Sequence, residues 1–191
     1  LQSEDVIDGT QNIDCFSVVS SSLKTCAISL SKMSNDIRLM NGGPKAGLAE
    51  ITIPAKQNGS SIMPGKINPV IPDVMNQCCF AVMGNDFTVT MACEAGQLEL
   101  NAFEPVVFNR IFDSIKLLKN GIRTLIVNCI DGIVANEERC KDLLYHSTGF
   151  VTALCPVIGY KASADIAKKF LKDGTPIVEG ALAMGVIQEQ L

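Results

Sequence analysis

Phe16, Val19, Leu23, Cys26, Leu30, Met33, Ile37 and Met40 recur at alternating intervals of three and four residues. A strand would throw successive members of this series onto opposite faces, whereas a helix gathers them into one stripe. Because the spacing is close to a heptad, the stripe runs along the helix axis, and a partner must lie lengthwise against it. A helix is therefore predicted within residues 12–41. It ends at Asn41-Gly42-Gly43-Pro44, which offers glycines for a left-handed cap and a proline that cannot continue the helix.

Two further segments carry the same rhythm. From Pro69 or Pro72 to about Gly96, Val74, Cys78, Ala81, Asn85, Thr88, Ala92 and Ala95 form a stripe of mostly small residues. Phe80, Val82, Met83, Phe87, Val89 and Met91 occupy the other faces, so this helix is apolar nearly all round and belongs inside a bundle. From about Pro105 to Ile130 the series is Phe108, Ile111, Ile115, Leu118, Ile122, Leu125 and Cys129, with Arg110, Lys116, Lys119 and Arg123 facing outward. Three such helices specify an all-α fold built as a bundle of long helices. Beyond Asn136 the pattern shortens to helices predicted over 137–145, 161–172 (ended by Gly174) and 176–184, with Thr175 as N-cap and Pro176 at the first helical position. The domains expected are a central bundle over 1–145 and the start of a small helical appendage over 146–191. A short extended stretch at 49–53 is the one exception to helix.

Composition removes several function classes. A formal net charge of −4 leaves no basic footprint for nucleic acid, and no apolar run has the length of a membrane span. The eight cysteines include the adjacent pair Cys78-Cys79 and show no CxxC spacing, and there is a single histidine. Reduced, mostly buried thiols in a cytoplasmic protein, with no disulfide, no metal and no cofactor, are the reading these residues support.

The chemistry concentrates in Gly59-Ser60-Ser61-Ile62-Met63-Pro64-Gly65-Lys66-Ile67-Asn68-Pro69. Gly, Ser, Asn and Pro are ordinary loop residues. This loop, however, pairs two hydroxyls with flanking glycines that let it open and close. Lys66 and Asn68 supply a charge and an amide suited to a carboxylate, and a helix N-terminus follows, where anions are favoured. A serine serves as a base here only if such donors stabilise its alkoxide.

These residues resemble the mobile-loop motif of the fumarase/aspartase superfamily, whose members cleave a C–N or C–O bond beta to a carboxylate and release fumarate. Flanking segments extend the likeness: Ser34-Asn35-Asp36-Ile37-Arg38, Gly43-Pro44-Lys45-Ala46-Gly47-Leu48, Gly84-Asn85-Asp86 and Thr152-Ala153-Leu154. Residues 70–77 and 91–101 are more similar to the aspartate ammonia-lyase branch than to class II fumarases. The resemblance implies reversible deamination of L-aspartate to fumarate and ammonia, with Ser60 as the general base that removes the C3 proton. It implies that Ser61 shapes the loop and that Lys66 and Asn68 hold the substrate carboxylate and stabilise the aci-carboxylate intermediate. Asp73 stands where relatives carry a glutamate paired to another subunit's histidine. The family's central helices imply a homotetramer with active sites shared between subunits, acting on a small molecule and not on nucleic acid or a membrane.

Members of the superfamily are longer, and segments that grip the rest of the substrate fall outside these 191 residues, so the chain alone is expected to be inactive. His146, Asp36, Arg38 and Asp86 are read as structural polar groups, not catalytic ones. The alternatives are a class II fumarate hydratase and a non-catalytic assembly scaffold; a scaffold that had lost activity would not need Ser60, Lys66 and Asn68, and all three are present.

Overall fold

The computed structural model describes residues 3–43, 45–59, 62–63, 65–174, 176–183 and 185, which form two compact units, residues 1–134 and 135–191. The first unit opens with a short helix, α1 (Val6–Gln11). Its N-cap, Asp5, accepts hydrogen bonds from the Ile7 and Asp8 N–H groups at 2.9 and 3.1 Å, satisfying donors that a helix start leaves without partners. The three long helices follow: α2 (Asp14–Met40), α3 (Val70–Glu94) and α4 (Glu104–Asn128). α3 lies between the other two. Ser20 of α2 meets Asp86 of α3, Ser31 meets Asn76, and Arg38 meets Asp73. The α2 numbers rise as the α3 numbers fall, so the two helices run antiparallel.

The buried line of α2 differs from the expected stripe. Ile37 is buried and Leu23 and Leu30 are half-buried, but Val19, Cys26 and Met33 are exposed; Ser20, Ala27, Ser31 and Ser34 are buried in their place. Small side chains at those positions let the α2 and α3 backbones approach closely. The buried line of α3 is likewise turned by one position, through Met75, Cys79, Val82, Asp86 and Val89, joined by Ala92. In α4, Ile111, Leu118 and Leu125 are buried as the spacing implies, whereas Ile115 is exposed. Gly121 faces Met75 across the α3–α4 contact, where a Cβ would lie 3.1 Å from the Met75 Sδ atom and the methionine would have to give way.

Two apolar clusters fill the bundle. One gathers Ala27, Ile37, Met75, Cys79, Val82, Leu118, Leu125 and Cys129; the other gathers Ile13, Val89, Ala92, Val107 and Ile111. Phe16 and Phe108 add an edge-to-face ring contact with centroids 4.8 Å apart. The extended stretch expected at 49–53 is present as β1 (Ile51–Thr52), which pairs with β2 (Val134–Ala135) where the first unit ends.

Burial has a measurable consequence at Cys79. Its surroundings, and secondarily the neighbouring Cys78 and Cys26 thiols, push its pKa from 9.0 up to about 11. Well below pH 9.0 the thiol is neutral whether the chain is folded or not; from there to about 11 the unfolded chain ionises ahead of the folded one. Stability should therefore fall by roughly 2–3 kcal/mol as pH rises through that window and level off above it. Burial raises the Cys93 and Cys129 thiols as well, so Cys79→Ala should reduce this alkaline limb in denaturant titrations without abolishing it; an unchanged limb would contradict the assignment.

The second unit is built from α5 (Glu137–Tyr145), α6 (Phe150–Ile158), α7 (Tyr160–Asp173) and α8 (Ile177–Ala183). Val151, Ile166, Ile177 and Ala181 form its core. α6 was not expected, because it holds Pro156 and lies between glycines. Proline so near the end of the helix removes one intrahelical bond and leaves the preceding turns intact. Gly174 closes α7 in the left-handed conformation, with φ 74°. Among the described residues no helix is long and apolar enough to cross a membrane, and no cluster of His, Cys, Asp and Glu is placed to hold a metal ion.

Candidate active site

The loop expected to carry the chemistry leaves and rejoins the bundle at closely spaced points. Gly59 adopts φ 82°, and a Cβ on it would lie 2.8 Å from the Lys66 carbonyl oxygen. Any other residue at 59 would be strained by its backbone and would collide with Lys66. Gly59 and Lys66 thus form the neck of a closed loop of the kind that often carries function. Gly65, at φ 83°, turns the chain immediately before Lys66, and the Lys66 N–H donates to the Met63 carbonyl at 3.1 Å. Ser60 and Ser61, expected as base and loop-shaping neighbour, lie outside the described residues.

Lys66 is exposed, and Asn68 is half-buried just before α3. The Asn68 carbonyl accepts from the Val70 N–H at 2.8 Å, and the Asp73 N–H donates to the Pro69 carbonyl at 3.1 Å. α3 begins at Val70 with Pro69 as its cap residue and no side chain capping its first turn. The positive end of the helix dipole, the Lys66 ammonium and the Asn68 amide therefore belong to one short stretch of chain. Donors so grouped can hold a carboxylate and can stabilise additional negative charge that develops on it.

Asp73, in the first turn of α3, is engaged within the chain: the Arg38 Nε atom donates to its Oδ1 at 2.7 Å. Sequence reasoning placed Arg38 and Asp73 in separate motifs and did not join them; the antiparallel register of α2 and α3 does. The other polar residues singled out also have local partners. Asp86, 4% exposed, accepts from Ser20 at 2.8 Å and pairs with Lys24 at 2.5 Å. Asp36 pairs with Lys32 one turn back along the exposed side of α2. His146 caps α5, with Nδ1 2.8 Å from the Asp142 carbonyl oxygen and 3.1 Å from its carboxylate.

Known proteins match this geometry and sequence together. A family model described as Lyase matches residues 1–84, and one described as Fumarase C C-terminus matches residues 150–191. The aspartate ammonia-lyase of a Bacillus species is 50% identical over 188 residues, an alignment that takes in 98% of this chain and 40% of that protein. A crystal structure titled fumarate lyase:delta crystallin, from Brucella melitensis in native form, is 47% identical with a TM-score of 0.88, over 96% of this chain and 41% of that one. A recombinant class II fumarase from Schistosoma mansoni is 33% identical with a TM-score of 0.89, over 97% of this chain and 39% of that one. The chain spans about two fifths of the length of the curated relatives it matches. Matched by both family models and similar in sequence and in its long-helix bundle along nearly its whole length, the chain belongs to the fumarase/aspartase superfamily.

Proposed function

We propose that this sequence forms the loop-bearing part of an aspartate ammonia-lyase, converting L-aspartate reversibly to fumarate and ammonia. The observation that carries the reading is the graded likeness: 50% identity to an aspartate ammonia-lyase against 33% to a class II fumarase, each over nearly the whole chain. In this reading Ser60 is the base and takes the C3 proton. The electron pair left behind moves into the neighbouring carboxylate, which becomes a doubly charged aci-carboxylate. Lys66 and Asn68 meet that charge with donors already in place, so stabilisation is greatest where the barrier is highest. The pair then returns to form the carbon–carbon double bond as the C–N bond breaks. The nitrogen departs with the electrons of that bond, leaving fumarate.

Closure of the loop at its glycine neck excludes water and strengthens these interactions. The exposed apolar side chains of the bundle support a homotetramer with shared sites: Phe80, Phe87 and Met91 on α3 are each more than half exposed, as are Val18 and Leu39 on α2 and Phe112 on α4. A monomer would leave all of them in water. The rest of the substrate is gripped by segments outside these residues, so the 191-residue chain by itself should not release ammonia from aspartate.

The test is a hybrid subunit in which these 191 residues replace the matching segment of the Bacillus enzyme. It should form fumarate from L-aspartate and leave malate untouched. Turnover of malate in preference to aspartate would move the assignment to the fumarases, and turnover of neither would remove the lyase reading.

A further inference from the structure

Building on the lyase reading, we infer that Arg38 is a positioning residue for the substrate carboxylate. It does two things at once: it ties the start of α3 to the end of α2, and it neutralises Asp73.

The mechanical half of the argument rests on where the chain is held around the loop. On the way into the loop, the Ala49 and Glu50 N–H groups donate to the Gly42 and Met40 carbonyls at 2.7 and 2.9 Å, and the Ile53 N–H donates to the Asn41 Oδ1 at 3.1 Å. All three acceptors lie at the C-terminal end of α2. On the way out, the Arg38–Asp73 pair at 2.7 Å fastens the first turn of α3 to that same end. A second contact supports it one turn further in, where the Asn76 amide donates to the Ser31 hydroxyl at 2.9 Å and to the Asn35 Oδ1 at 3.0 Å. Both ends of the segment that carries Lys66 and Asn68 are therefore referenced to one helix end, and the Arg38–Asp73 ion pair is part of that attachment.

The electrostatic half follows from what Asp73 would do alone. A carboxylate in the first turn of a helix is favoured by the dipole, as an arginine is in the last turn, so each member of the pair sits at the helix end that suits it. Yet the positive end of α3 is also the place where a substrate carboxylate would bind. An uncompensated Asp73 would oppose that anion from within the same turn. Paired with Arg38, it ceases to do so, and the field of the helix start and of Lys66 is left to the substrate.

Two measurements test it. In the 191-residue chain, Arg38→Gln should speed amide exchange at Asp73, Val74 and Met75 by about fivefold, the scale of a partly exposed ion pair. Arg38→Lys should stay near wild type, and amides beyond Val82 should not respond. Unchanged exchange at the first turn, or equal acceleration along all of α3, would overturn the tether whatever the chain's function. In the hybrid enzyme, Arg38→Gln should raise KM for L-aspartate roughly fivefold and lower kcat as well, because the doubly charged intermediate feels an uncompensated Asp73 more than the substrate does; Arg38→Lys, which keeps the charge, should return most of the loss. If KM stays put, or if Arg38→Lys is as impaired as Arg38→Gln, the electrostatic role is wrong. A hybrid that is inactive with Arg38 in place would count against the lyase reading instead, leaving the exchange result to decide the tether.

Discussion

Ser60→Ala in the hybrid enzyme should lower kcat for L-aspartate by roughly 10²–10⁴-fold, the usual range for loss of a positioned base, with KM within a few-fold of the parent. The asymmetry follows from the role proposed for the hydroxyl, which acts on a C–H bond and contributes little to holding the ground state. Lys66→Ala should behave differently. An ammonium that meets a carboxylate binds substrate and intermediate alike, and binds the intermediate more strongly because that species carries the greater charge. Both KM and kcat should suffer, and kcat/KM should fall by about 10²–10³-fold, as when a preorganised donor to a developing oxyanion is lost. Steady-state rates of fumarate formation separate the two patterns. A Ser60→Ala enzyme with near-normal kcat would send the search for the base elsewhere. A Lys66→Ala enzyme altered in KM alone would restrict the lysine to ground-state binding.

The second large effect concerns stability. Lys24→Met should destabilise the first unit by about 1–3 kcal/mol near neutral pH, more than Asp86→Asn does. At first sight the order is surprising, since Asp86 is the buried partner and Lys24 is more than a third exposed. Removing the lysine, however, strands an ionised carboxylate between α2 and α3 with only the Ser20 and Ser21 hydroxyls, at 2.8 and 3.5 Å, to replace its counter-charge. Removing the carboxylate instead frees a lysine that can turn its ammonium to water, while asparagine can keep a hydrogen bond to Ser20. The double variant Lys24→Met/Asp86→Asn should therefore recover much of the loss caused by Lys24→Met. Denaturant midpoints of the four proteins complete the cycle. Equal losses for the two single variants, or no recovery in the double, would mean that the pair is only a surface contact.

A good deal of this protein was legible in its sequence for local reasons. Some helix ends follow local signals, since α3 opens behind Pro69 and α7 stops at the left-handed Gly174, whereas α2 stops at Met40 with Asn41 in the right-handed region and without the left-handed glycine cap expected there. The loop 59–69 stood out through its own residue types, and Gly59 does occupy a conformation that asks for glycine. Spacings of three and four also established that the helices lie lengthwise in a bundle.

What spacing could not supply was phase. α2 carries apolar residues at Val19, Cys26 and Met33 beside a line of serines, and both lines have helical period, so periodicity alone favoured the larger side chains. Packing chose the serines, because close approach to α3 needs small volume, and left the larger residues on the outside. α6 escaped notice because local propensity at Pro156 opposed a helix that its contacts within the second unit sustain. The ion pairs were out of reach for a related reason. Arg38 finds Asp73, and Lys24 finds Asp86, through the antiparallel register of two helices far apart along the chain. Register is a property of side chains packing in three dimensions, so the sequence by itself determined where the long helices run and which loop holds residues suited to a carboxylate, while only the tertiary structure decided which faces meet and which charges face each other across them.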